Sequence, residues 1–150
     1  MLTPPATTEL RDAIGTLRAV CEDGPPTHDY AELIAAITGL LHLAARMKEE
    51  DIGTEDSPPR IDKSAAFQRA AARFPDIDFV SDWDRQVGAE KGSFPANDLS
   101  EFYADMCEID ALFEAGHTQH ARWEFRFGFE SHWAQHALSL LAYMLGTHRL

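Results

Sequence analysis

The sequence predicts an all-α fold: a single domain over residues 1–150, built as an antiparallel helical bundle of about five helices. Apolar residues recur at three- and four-residue spacing through most of the chain, which is helical rather than strand periodicity. Glycine and proline clusters interrupt that pattern at helix-length intervals. Hydrophobic residues make up 45% of 150 residues, with 10% aromatics, enough to fill one core.

The first helix begins at Thr7 and Thr8, which offer an N-cap ahead of Glu9. Leu10, Ile14, Leu17 and Cys21 form its apolar stripe, and Gly24-Pro25-Pro26 ends it. Thr27 can cap a second helix running to about Glu50, with Leu33, Ile34, Ile37, Leu40, Leu41, Ala44 and Ala45 inward. Residues 51–63 contain Gly53, Pro58 and Pro59 and read as a loop. Ser64 opens a third helix through residues 65–74, directing Phe67, Ala70, Ala71 and Phe74 inward, and Pro75 stops it.

Residues 75–97 form a long connection for a compact domain. Phe79, Val80, Trp83 and Phe94 are its natural anchors, with a short helix near residues 81–87. A fourth helix runs from Asn97 or Asp98 to about Ala115, with Gly116 placed as its C′ residue. A last long helix follows Thr118 and reaches about Leu145. Trp123, Phe125, Phe127 and Phe129 alternate locally like a strand, but Ala134, Ala137, Leu138, Leu141, Met144 and Leu145 continue at helical period.

Charge narrows the function classes. The net charge is −12, and residues 76–117 alone carry 11 Asp/Glu against Arg85 and Lys91. Nucleic-acid binding needs clustered Lys and Arg, so no nucleic-acid partner is expected. No run approaches ~20 consecutive apolar residues, so no membrane span is expected. Met1 to Ala6 lack a basic and an apolar region, and no secretory signal is read there. Cys21 and Cys107 have no paired spacing and read as free thiols in a reducing, cytoplasmic setting.

Three polar groups stand out. His132 and His136, at i and i+4, share a helix face as metal-binding pairs do. Trp133 occupies the place of the Glu in a His-Glu-x-x-His motif. Glu130 points roughly 160° from His132, at about 100° per residue, and cannot join it. A carboxylate from the fourth helix would have to complete a site, so no metal or other cofactor is expected. Arg126 and Glu130 fall among apolar residues of the last helix, as a partly buried pair or as part of a polar pocket that Tyr103 would also reach. His117, His120 and Glu124 share a face at a helix start and read as solvated.

Two stretches resemble a known family. They are Asp98-Leu99-Ser100-Glu101-Phe102-Tyr103-Ala104-Asp105 and Phe129-Glu130-Ser131-His132-Trp133-Ala134-Gln135-His136. The chain is similar to the bacterial domain-of-unknown-function family numbered 5063, in an acidic D-L-x-D-I-Y-x-D helix start and an F-x-x-[HY]-W-G-Q-[HK] run. Asp98, Leu99, Tyr103, Asp105, Phe129, Trp133 and Gln135 match. Glu101 replaces Asp, Phe102 replaces Ile, and Ala134 replaces Gly. Residues 34–47 are weakly similar. The resemblance implies a helical bundle and no particular activity, and a Lys at the position of His136 in the family speaks against a shared metal.

The sequence thus favours a non-enzymatic, acidic protein-interaction module, an accessory subunit or immunity-like inhibitor. Asp98, Glu101, Asp105 and Glu108 would form a stripe toward a basic protein partner. No Lys or Arg occurs between residues 92 and 121 to neutralise them along the helix. A homo-oligomer is compatible with the composition. The alternative is a helical-bundle enzyme or small-ligand or metal-binding protein using His132, His136, Glu130 and Tyr103.

Overall fold

The computed structural model describes residues 3–50, 61–77 and 95–147. Among them every regular element is an α-helix: α1 (Thr7–Glu22), α2 (Ala31–Ala45), α3 (Lys63–Arg73), α4 (Pro95–Glu114), α5 (Thr118–Ser131) and α6 (Trp133–Thr147). These are six helices where the sequence predicts about five. The extra one arises because the predicted last helix is broken at His132, whose backbone (φ −148°, ψ −75°) leaves the helical region.

The predicted stripe of α1 is buried as expected, at Leu10, Ile14, Leu17 and Cys21. No side chain caps its start; the carbonyl of Ala6 accepts from the amide of Leu10 instead. Beyond its end Gly24 takes φ +96°, a left-handed conformation that suits glycine. Arg73 ties this turn down, donating to the carbonyls of Val20 and Pro25.

Helix α2 is shorter at both ends than predicted. Thr27 Oγ1 accepts from the amide of Asp29, and Asp29 Oδ1 accepts from the amide of Ala31. Two successive side-chain turns therefore hold the chain out of the helix until Ala31. The helix stops at Ala45, where Arg46 reaches across to Glu9 and the carbonyl of Thr3. Ala45 is exposed, whereas Ala36 and Leu43 are buried in its stead. Asp62, two residues before the predicted Ser64, caps α3 by accepting from the amides of Ser64 and Ala65.

Helix α4 packs against α1, α3, α5 and α6. Leu99, Phe102, Met106, Ile109 and Phe113 are buried as predicted, and so are Tyr103, Cys107 and Leu112 on other sides of the helix. Gly116, with φ +86°, closes it, and the amide of His117 bonds back to the carbonyl of Leu112.

Trp133 is wholly buried among Phe102, Phe125 and Phe129, and its Nε1 donates to the carbonyl of Phe125 at 2.8 Å. Helix α6 turns Ala137, Leu140 and Met144 inward on the arc of Trp133, while Leu138 and Leu145 are 57% exposed. Phe79, Val80, Trp83, Phe94 and the short helix near 81–87 lie outside the described residues, as does the Phe67 side chain.

Candidate functional site

Helices α4 and α6 meet along a polar seam. On α4, Asp98, Glu101 and Asp105 fall at i, i+3 and i+7, which places them on one face over two turns. Facing them are His132, at the α5–α6 break, and His136, one turn into α6. Asp105 Oδ2 lies 2.5 Å from His132 Nδ1, and Asp98 Oδ1 lies 2.8 Å from His136 Nδ1. The pairing runs in opposite senses along the two helices, so Glu101 falls between the rings. Its Oε2 is 3.7 Å from His132 Nε2. The two imidazoles meet edge-on, with centroids 4.8 Å apart.

The pattern has a chemical consequence. An ionised aspartate only accepts, so each Nδ1 is the nitrogen that donates to its partner, and Nε2 is the nitrogen left for a further ligand. Glu101, His132 and His136 each offer one ligand atom, and all three atoms lie within 4.8 Å of one another. Two ligands each ~2.1 Å from a zinc-like ion are at most about 4.2 Å apart. Asp98 is buried and Asp105 nearly so, while the His132 side chain stays 44% exposed, so the seam is anchored below and open to solvent above.

The candidate residues thus divide. Three of the four stripe carboxylates, Asp98, Glu101 and Asp105, are turned onto the histidine pair. Arg122, an α5 cation that could have served them, instead binds Glu50, Thr7 and the carbonyl of Pro5.

Tyr103 does not share a space with Arg126, Glu130 or the histidines. It stands two residues beyond Glu101, roughly 200° around the helix. There its hydroxyl donates to Glu22 and accepts from Arg69. Arg126 pairs with Glu130 at 2.9 Å and donates to the carbonyl of Met47, and Glu130 is half-exposed. The Arg126 guanidinium also lies over the Phe129 ring.

His120, expected on a solvated face, is buried against Trp123 with Nε2 3.4 Å from Glu124. The sequence pointed to a fourth-helix carboxylate beside His132 and His136 without saying which one, although a signal existed. An i, i+3, i+7 acid face and an i, i+4 histidine face are matched in length.

A second polar group joins α1, α3 and α4. Arg18 bridges Glu22 and Asp110, and Glu22 also holds Tyr103. Burial pushes the Tyr103 phenol above its ordinary value, so it remains a donor.

Comparison with protein-family models, curated proteins and solved structures finds no match to this chain.

Proposed function

We propose that this chain is a helical-bundle protein that binds one divalent transition-metal ion through Glu101 and the Nε2 atoms of His132 and His136. The single observation that carries this reading is the double aspartate–histidine pairing. Metal-binding histidines characteristically donate their second ring N–H to a carboxylate, which orients the ring and raises its basicity. Here both histidines have such a partner, from one helix and in matching register.

Two imidazoles and one carboxylate suit zinc or ferrous iron rather than calcium or magnesium. Three protein ligands also leave positions for water or a ligand, as reactive rather than structural metal sites do. The third ligand that the sequence could not place is Glu101. The docking reading draws on the same acidic residues, and their contact with the two histidines is what favours metal over a basic partner.

The test is equilibrium dialysis of the apo protein against zinc or cobalt, with elemental analysis. About one ion per chain is expected, and His132→Ala or His136→Ala should abolish it. Metal-free wild type at micromolar free zinc would defeat the proposal.

A further inference from the structure

A cavity of about 610 Å³ lies between α1, α3 and α4. Cys107 in its wall stands roughly 200° around α4 from Asp105, so the cavity is separate from the histidine seam. Small side chains make the room. Ala65 and Ala66 line it from α3, Ala111 and Ala115, one turn apart, line it from α4, and Ile61 adds to the apolar wall. Its volume falls within the range of small-molecule sites, which in helical bundles sit between helices and join an apolar lining to a few polar groups.

Arg69 is the polar group that points to a ligand. Arg11, Arg18, Arg46, Arg73, Arg122 and Arg126 each donate to a carboxylate or to a main-chain carbonyl. Among the described arginines Arg69 alone does neither. Its hydrogen bond is to the neutral hydroxyl of Tyr103 at 3.3 Å, and the nearest oxygen of Glu22 stands 3.9 Å away. A guanidinium has five N–H donors, so most of those on Arg69 remain for a ligand, and its side chain is 52% exposed at the wall. The other charged groups there are engaged. Arg18 is held by Glu22 and Asp110, Asp62 accepts from two α3 amides, and Glu114 pairs with Arg11.

We infer that this cavity binds a small monocarboxylate with an apolar body, its carboxylate on Arg69 and its hydrocarbon against the alanines. This goes beyond the metal reading and does not rest on it. The planar fork of a guanidinium matches a carboxylate through two parallel hydrogen bonds. Inorganic phosphate would meet the same fork but gain nothing from Ile61 and the alanines, whereas an alkyl chain there leaves water. An alkylammonium would meet Arg69 as a like charge. Since about 150 Å³ accommodates one benzene, the ligand is on the order of ten to twenty heavy atoms.

The probes are octanoate, octanol and octylamine, titrated calorimetrically into the full chain near neutral pH. A chelator is present throughout, so that no bound metal can take the carboxylate. Octanoate should saturate at millimolar concentration or below, with octanol and octylamine at least about tenfold weaker, the worth of one charge-assisted hydrogen bond. Arg69→Gln should weaken octanoate by about tenfold and leave octanol unchanged. Ala111→Leu, which fills the cavity, should abolish binding of both, and Ala115→Leu at an exposed position decides if Ala111→Leu unfolds. Absence of saturation by octanoate, equal binding of octanol or octylamine, or an unchanged affinity in Arg69→Gln would each overturn the inference. Octanoate binding that survives both leucine variants would lie elsewhere on the chain and overturn it as well.

Discussion

The indole of Trp133 occupies the space that any side chain at Gly128 would need. An ideal Cβ on Gly128 would collide with Cδ1 of that ring and stand 3.0 Å from its Nε1. With Nε1 bonded to the carbonyl of Phe125, the ring folds back over α5. This lock fixes the α5–α6 break, and the break is what presents His132 to Asp105.

Gly128→Ala should therefore destabilise the protein by about 1–3 kcal/mol, the usual penalty of overpacking. Alanine elsewhere in a helix does the opposite. At Gly39 in α2 and Gly15 in α1 an added Cβ meets nothing within 4 Å, so either substitution should stabilise by roughly 0.5–1 kcal/mol. Chemical denaturation of the three variants checks the contrast. A stabilising Gly128→Ala would show that Trp133 can move without cost.

Trp133→Ala should cost ~3–5 kcal/mol, because the ring is fully buried against three aromatic neighbours. Trp133→Phe keeps most of the apolar contact but leaves the carbonyl of Phe125 without its indole donor, for an expected loss of about 1–3 kcal/mol. Thermal unfolding of both variants, in that rank order, is the check.

The sequence made the helical class, the α1 stripe, the α4 arc and the Gly116 stop legible, because each follows from local periodicity or from a single conformational demand. It hid the break at His132. Residues 118–145 keep helical spacing on both sides of that point, and the fit of the Trp133 ring against Gly128, five residues earlier, is not written in the apolar periodicity. The site was half legible. Both of its faces were visible, but their pairing depends on the register between α4 and α6, which only packing sets.

Acid should loosen the α1–α3–α4 junction through Glu22. Burial raises the pKa of this carboxyl, but hydrogen bonds from Arg18 and Tyr103 outweigh burial and hold it below the usual 4.5. A depressed folded-state pKa gives stability that is complete above the unfolded value and lost as pH falls through the folded one. Wild type should therefore lose thermal stability below about pH 4.5 more steeply than Glu22→Gln. Parallel acid limbs for the two proteins would remove Glu22 from the explanation.

Neither cysteine should react in the native state. Cys21 is 1% exposed and Cys107 9%, and burial pushes both thiols above their ordinary value. A thiolate is the reactive form, so a disulfide-exchange reagent near neutral pH should label neither until denaturant is added. Fast labelling of one thiol in the folded protein would contradict this.

The aspartates behind the histidines should matter to metal affinity without being ligands. Asp98→Asn and Asp105→Asn preserve shape and an acceptor for each Nδ1–H but remove the charge that raises ring basicity. The expected loss in zinc affinity is about 10–100-fold for each, with stoichiometry near one retained. Glu108→Gln lies one turn beyond Asp105 and contributes no atom to the ligand cluster, so it should leave zinc affinity nearly unchanged. That comparison separates orientation by a hydrogen-bonded carboxylate from a general field of negative charge. If all three variants weakened zinc alike, the seam would act as a diffuse acidic surface, and the specific pairing with His132 and His136 would carry no weight. A competition titration against a chromogenic chelator resolves the difference, since it reads affinity and stoichiometry together.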